Sequence, residues 1–221
     1  MRVVIAGASG LIGRELVQFC LSDDDVGMLF ILVRKHLDMS HEKLHQIIIN
    51  YDDISENDLP DNIDVLFNCL GTTIKNAGSE ENFIKVDFNY VVELATIAHL
   101  KKVKKFISVS SMGAKLHSKT LYYRVKGMKE DFLMNDSHLE NVFIVRPSLL
   151  LGKRKEFRFG EFIGKILMTA LDILFVGNLK KYRAIEAKTV AKAMLNLSKM
   201  NESGKKIILS DALETLANAT M

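Results

Sequence analysis

Short, nearly continuous apolar runs alternate along this chain with longer stretches in which apolar residues recur every three or four positions. Val3 to Ala6, Leu29 to Val33, Ile47 to Ile49, Val65 to Leu70, Phe106 to Val109 and Val142 to Val145 are short and rich in β-branched residues, the pattern of strands buried on both faces. Between them, Leu11 to Leu21, Glu80 to His99 and roughly Thr120 to Asn135 have helical period. In the second of these, Phe83, Val86, Tyr90, Val91, Leu94 and Ile97 share a face. The interval between the second and third strands lacks an obvious amphipathic stretch, and Glu42 to Gln46 is the segment available there for a short helix. The alternation predicts an α/β fold, a doubly wound parallel sheet with helices on both faces.

After Pro147 the pattern changes. A basic loop bounded by Gly152 and Gly160 leads into an apolar helix. A helix over Glu186 to Met200, a short strand over Lys206 to Leu209 and a last helix follow. These segments are read as a small cap, built mainly from about 148–185, and a closing edge on a single domain spanning residues 1–221.

Composition narrows the class. At 48% hydrophobic residues with only Pro60 and Pro147, the chain is not disordered. Cys20 and Cys69 both lie in apolar runs, which predicts buried free thiols in a reducing compartment and no disulfide framework. Phe162 to Val176, the longest apolar stretch, is broken by Lys165 and Asp172, so no membrane span is expected. Met1-Arg2 leads into too few apolar residues for a secretory leader. The expectation is a soluble, cytoplasmic protein.

Charge is uneven: residues 1–110 hold 11 basic and 16 acidic side chains, residues 111–221 hold 19 and 11. A modestly basic second half suits an anionic small molecule and falls short of a nucleic-acid-binding surface. The run Lys101-Lys102-Val103-Lys104-Lys105 is read as a solvated loop ahead of a buried strand, against the alternative of an import signal or phosphate patch.

Three motifs carry chemistry. Gly7, Gly10 and Gly13, in Val3-Val4-Ile5-Ala6-Gly7-Ala8-Ser9-Gly10-Leu11-Ile12-Gly13, follow a strand and open a helix. Such a turn lets backbone N–H groups and the helix dipole meet a pyrophosphate, the arrangement of a Rossmann-type, NAD(P)-binding fold. An acidic residue at the end of the second strand would favour a ribose 2′-hydroxyl, but Arg34 and Lys35 stand there instead. A charge-assisted bond to a 2′-phosphate contributes about 1.5–3 kcal/mol, so NADPH/NADP is the expected cofactor. Finally, Tyr122 and Lys126 lie four residues apart, on one helical face, after the strand end Ser108-Val109-Ser110-Ser111. A phenol of pKa near 10 becomes a useful acid–base when a neighbouring ammonium favours its ionised form. Ser110 or Ser111 would orient a carbonyl oxygen. Tyr123 has Gly127, not lysine, four residues on.

The order of these motifs resembles the short-chain dehydrogenase/reductase superfamily. Cys69-Leu70-Gly71-Thr72-Thr73, Lys75 to Gly78, Val86-Asp87, Leu121 to Gly127 and Arg146 to Gly152 are similar to one atypical branch, the oxidoreductase family typified by the human Tat-interacting protein, which holds NADPH. The resemblance implies cofactor contacts at Gly7, Ser9, Gly10, Leu11 and Ile12, with Gly13 completing the turn. It implies Arg34 and Lys35 at the 2′-phosphate, Leu70 and Gly71 after the fourth strand, and Tyr122 and Lys126 as the catalytic pair, which also contacts the cofactor, Lys126 at the ribose. Leu150 and Arg158 would reach the nicotinamide end and the phosphates. Lys35 replaces an arginine, and Leu70-Gly71-Thr72 replaces the Asn-Asn-Ala-Gly turn of better-characterised reductases.

The remaining signals are weaker. The six histidines show no ligand spacing, so no metal site is expected. His41 and His45 are read as sharing the face of a surface helix. The ten methionines are read as core fillers. Ile163, Ile166, Leu167, Met168, Leu171, Ile173, Leu174 and Phe175 make an apolar helix for a substrate pocket, a partner chain or the core. The expected function is an NADP-dependent oxidoreductase acting on an unidentified carbonyl or alcohol. The alternative is a non-catalytic NADPH-binding sensor that recruits a protein partner. Epimerase chemistry ranks third because the short C-terminal segment leaves little room for a nucleotide-sugar. A homodimer is left open.

Overall fold

The computed structural model describes residues 1–152 and 177–219. Seven strands form one parallel sheet in the order β3-β2-β1-β4-β5-β6-β9. They are β1 (Arg2–Ala6), β2 (Met28–Val33), β3 (Leu44–Ile48), β4 (Val65–Asn68), β5 (Lys105–Val109), β6 (Val142–Arg146) and β9 (Lys205–Leu209). β7 (Leu150–Leu151) and β8 (Ile185–Glu186) pair separately. The helices are α1 (Leu11–Leu21), α2 (Ile74–Ala77), α3 (Glu80–Ile84), α4 (Tyr90–Leu100), α5 (Leu121–Asp131), α6 (Ala187–Lys199) and α7 (Ser210–Asn218). The α/β doubly wound fold expected from the alternation is what the chain adopts.

Strand alternation sends successive side chains to opposite faces, and both faces are covered. Val3, Ile5, Leu29, Ile31, Val65, Phe67, Ile107, Phe143 and Val145 join α1, α6 and α7 in one core. Val4, Ala6, Phe30, Leu32, Leu66, Phe106, Val142 and Ile144 join α4 in the other. This is why the strands read as unbroken apolar runs.

One expectation needs correction. Glu42 to Gln46 forms no helix, for β3 begins at Leu44 and pairs in parallel with β2. The Gln46 side chain accepts from the Leu37 N–H (2.8 Å) and donates to the carbonyls of Leu37 (2.9 Å) and Met39 (3.0 Å), tying the connection down as a loop. His41 and His45 therefore share no helical face, and His45 stacks on Phe30 at 5.0 Å. The helix expected over Glu80 to His99 is present and runs without a break to Leu100, as α3, a wide π-type turn over Lys85–Asn89, and α4. A second such turn, Phe132–Asp136, follows α5.

Cys20 is buried and Cys69 half-buried, both unpaired. In the basic run, Lys101 pairs with Asp61 (2.7 Å) and Lys104 with Asp64 (2.6 Å), while Lys105 donates to the carbonyls of Ser198 (3.0 Å) and Met200. Those contacts engage three of the four lysines, and Lys102 is exposed. The expected loop from Gly152 to Gly160, the apolar helix at 162–176 and most of the expected cap lie outside the described residues. No described helix is long and apolar enough to cross a membrane.

Candidate cofactor and catalytic site

All strands of the main sheet run one way, so their carboxyl ends share an edge. The winding reverses between β1 and β4, the place where a crevice opens in folds of this type. The turn after β1 lies beside it. Gly7 has φ +82°, and a Cβ there would stand 2.6 Å from the Cys69 carbonyl carbon. A Cβ on Gly13 would overlap the Gly7 carbonyl oxygen. The Gly10 N–H donates to the Gly7 carbonyl at 3.0 Å. Gly10 caps α1 with no side-chain hydrogen bond, so the first-turn N–H groups are left for an external acceptor. Ser9 is exposed, whereas Ile12 is sunk in the core, so only the backbone of Ile12 can face a ligand.

Arg34 and Lys35 are exposed where β2 ends, and neither has an ion pair among the described residues. Next to this end, Tyr51 is buried, donates to the Leu32 carbonyl (3.3 Å) and stacks on Tyr90 at 5.3 Å. Beyond β4, buried Asn68 donates to the Ser108 hydroxyl (2.9 Å) and accepts from the Leu70 N–H (3.2 Å). That turn exposes Gly71, where a Cβ would lie 3.4 Å from Lys126 Nζ and 3.6 Å from Asp87 Oδ1.

Tyr122 and Lys126 occupy one face of α5 as the spacing predicted. The Lys126 ammonium is 5.7 Å from the centre of the Tyr122 ring, which stacks on Phe83 at 5.8 Å. Lys126 is only 4% exposed and forms an ion pair with Asp87, itself fully buried in the wide turn. The other Asp87 oxygen accepts from the Thr72 N–H at 2.7 Å. Burial, the largest single influence, works to lower the Lys126 pKa. The Asp87 carboxylate and then Tyr122 outweigh it, and the ammonium is held above the ordinary lysine value. The hydroxyls of Ser110 and Ser111 are both buried without a hydrogen-bond partner.

Tyr123 points elsewhere, with its ring against Gly113. Leu150 sits in β7, and Gly152, just beyond it, packs on Leu11, where a Cβ would come within 2.7 Å of Leu11 Cδ1. The end of β7 thus approaches the glycine turn. Arg158 lies outside the described residues. Among the described residues no cluster of ligand-type side chains could hold a metal ion.

Sequence reasoning missed Asp87 as the partner of Lys126. It also missed Lys129 and the pair Glu130–Arg146, in which Arg146 Nε donates to Glu130 at 2.9 Å. The signal was present. Tyr122, Lys126, Lys129 and Leu133 fall at three- and four-residue steps, so a charged side chain at 129 had to share a stripe with the buried Leu133.

These features describe a dinucleotide-fold protein, and comparison with known proteins agrees. The chain belongs to the NAD dependent epimerase/dehydratase family, which matches residues 3–209. It is 31% identical to Protein HTATIP2 of Rattus norvegicus over 198 residues, 88% of this chain and 79% of that protein. It is 30% identical to "Protein FMP52, mitochondrial" of Candida albicans over 230 residues, 99% of each. The resemblance to the Tat-interacting protein branch therefore holds. Among solved structures, UDP-glucuronic acid 4-epimerase from Bacillus cereus, in complex with UDP-glucuronic acid and NAD, superposes with a TM-score of 0.71 at 13% identity, covering 94% of this chain and 76% of that one. Uronate dehydrogenase from Agrobacterium tumefaciens gives 0.67 at 12% identity, covering 94% and 75%. At such identities these two show the fold alone.

One expectation is overturned. Composition pointed to the cytoplasm, but relatives from Eremothecium gossypii, Candida albicans and Scheffersomyces stipitis carry "mitochondrial" in their names. Apolar content and free thiols carry no cellular address, so the cytoplasmic assignment is withdrawn.

Proposed function

We propose that this protein is an NADP(H)-dependent oxidoreductase of the short-chain dehydrogenase/reductase type, moving a hydride between the nicotinamide and a carbonyl or alcohol carbon. The observation that carries the reading is the pair of buried, partnerless hydroxyls on Ser110 and Ser111, at the strand end after which the chain turns back into the Tyr122–Lys126 helix. A buried polar group without a partner is costly unless a ligand completes it, and a substrate oxygen would.

The residues present fit the cofactor. Backbone N–H groups from Ser9 to Ile12 and the α1 dipole would hold the pyrophosphate. Gly7 and Gly13 keep that turn tight. Arg34 and Lys35 would hold the 2′-phosphate, Leu70 and Gly71 would contact the cofactor after β4, and Leu150 and Arg158 would serve the nicotinamide end and the phosphates. The cofactor supplies the hydride when bound. Tyr122 gives its phenolic proton to the substrate oxygen in reduction and takes it back in oxidation, while Ser110 or Ser111 fixes that oxygen. Lys126 holds positive charge beside the phenol and favours its ionised form.

The test screens aldehydes and ketones for NADPH consumption. Tyr122→Phe is expected to lower turnover at least about a hundredfold while NADPH affinity stays within about twofold, since general acid–base catalysis contributes roughly 10²–10⁴-fold. An equal loss of binding would give the phenol a structural role instead. Arg34→Asp should shift the NADPH-to-NADH affinity ratio by about tenfold or more toward NADH. An unchanged ratio removes the NADP assignment.

A second reading rests on the Lys126–Asp87 ion pair, which engages the lysine inside the protein. It is a non-catalytic NADP(H)-binding sensor that recruits a protein partner, and it predicts a firmly held cofactor that no substrate in the screen oxidises. Following the names of its relatives, we also assign the chain to mitochondria. A tagged chain that fractionates away from them would refute that.

A further inference from the structure

Lys129 has no part in the chemistry above, yet it is 1% exposed and lies one helical turn beyond Lys126. Its ammonium donates to the Val109 carbonyl at 2.6 Å. Val109 ends β5, immediately before Ser110 and Ser111. At this point the sheet opens: the Leu70 N–H turns to the Asn68 side chain, and Lys129 supplies a donor to the β5 carbonyl. The lysine therefore braces the serine-bearing strand end from below.

The charged and titratable groups that act on it come from three elements. Lys126 and Glu130 face it from α5, Asp87 from the wide turn and Cys69 from the end of β4. Arg146 on β6 is tied to Glu130. Burial pushes the Cys69 thiol up to about 12, so it stays neutral. Lys126 is matched by Asp87 and Arg146 by Glu130. A protonated Lys129 is then a buried cation in excess. Burial first, and the ammonium of Lys126 second, push its pKa down to about 7.

We propose that Lys129 is a positioning residue of this site, a second buried lysine held on the last carbonyl of β5, whose charge adds to that of Lys126 and makes the choice between oxidised and reduced nicotinamide depend on pH. The inference rests on the function proposed above. An oxidised nicotinamide ring is a cation and a reduced one is neutral. A protonated Lys129 therefore disfavours NADP+ relative to NADPH, and loss of that proton removes the bias.

Dissociation constants of NADP+ and NADPH, measured by titration of the full chain from pH 5.5 to 8.5, test this without any substrate. In the wild type, Kd(NADP+)/Kd(NADPH) is expected to fall by about five- to tenfold as pH rises through about 7, the scale of one partly screened charge. Lys129→Gln keeps a donor for the Val109 carbonyl but never carries the charge. It should hold the ratio flat at the wild-type high-pH value, whereas a purely structural role would leave the pH dependence in place. Carbon-13 NMR of labelled lysine side chains in the cofactor-free protein gives an independent readout. One lysine should titrate near neutrality in the wild type and vanish in Lys129→Gln. If neither nucleotide binds, the proposed function fails and this inference falls with it. If both bind and the ratio ignores pH, or Lys129→Gln retains the dependence, this inference alone is overturned.

Discussion

Gly127 and Lys129, two positions apart on α5, answer to opposite constraints. A side chain on Gly127 would collide with the Leu116 amide nitrogen and the Lys115 carbonyl carbon, so the loop after Ser111 reaches the helix only because that position is bare. Gly127→Ala is expected to cost about 2–3 kcal/mol by overpacking, a fall in Tm of roughly 5–10 °C for a domain of this size. A loss within a degree, read by circular dichroism, would show that the loop gives way easily. Lys129 instead fills space that charge disfavours. Its pKa is about 7 in the fold and that of an ordinary lysine in the unfolded chain. Between those values the unfolded state binds more protons, so stability rises with pH across this window and carries its full penalty below about 7. Denaturant midpoints at pH 6.5 and 9 should show the wild type gaining on Lys129→Gln by about 2 kcal/mol, at roughly 1.4 kcal/mol per pH unit. Equal pH slopes would mean that Lys129 titrates normally. The raised pKa of Lys126 acts the other way, since that stability is lost only above the ordinary lysine value and lies outside these measurements.

At the scale of elements, the strands were the most legible part, because burial on both faces leaves an unmistakable apolar run. β1, β2, β5 and β6 lie within a residue of where the pattern put them. The glycine turn and the Tyr122–Lys126 helix were legible for a similar reason: each is local and needs particular residue types at fixed spacing. β3 was legible only at its end: the apolar run placed it at Ile47 to Ile49, and its start at Leu44 was lost because it is an edge strand with a half-polar sequence, Leu44-His45-Gln46-Ile47-Ile48, and its neighbour in the chain is a loop fastened by one side chain. Asp87 was missed because a wide turn within a helical stretch shifts the phase of every later residue, and no period reveals it. Gln46→Ala tests the fastening. Losing three hydrogen bonds, each contributing about 1 kcal/mol net, should speed exchange of the Leu37 amide at least tenfold while the β1 amides stay protected. Because Arg34 and Lys35 open this connection, NADPH affinity should fall with it. Unchanged exchange at Leu37 would place the constraint elsewhere.

In the whole molecule, the last described elements complete the support of the first. α6 packs against α1, where Lys199 pairs with Asp23 and Asp25 at 2.7 Å each and the Lys192 ammonium lies 5.5 Å from the centre of the Phe19 ring. The Asn196 side chain binds the carbonyls of Leu216 (2.8 Å) and Ala219 (3.1 Å), joining α6 to α7. Val3, Leu16 and Ile31 share one core with Val190, Met194 and Leu213, so residues nearly two hundred positions apart keep the same face dry. The glycine turn opens into α1, whose apolar face is buried in that shared core. Leu213→Ala, at a fully buried position, is therefore expected to cost about 2–4 kcal/mol. The loss should act on the molecule as one unit. Heat unfolding followed by circular dichroism should remain a single transition shifted downward, and hydrogen exchange should rise at the α1 amides as well as at α6 and α7. A separate early transition confined to residues 187–218 would mean that the closing edge is an independent unit, and that the dinucleotide crevice does not depend on it.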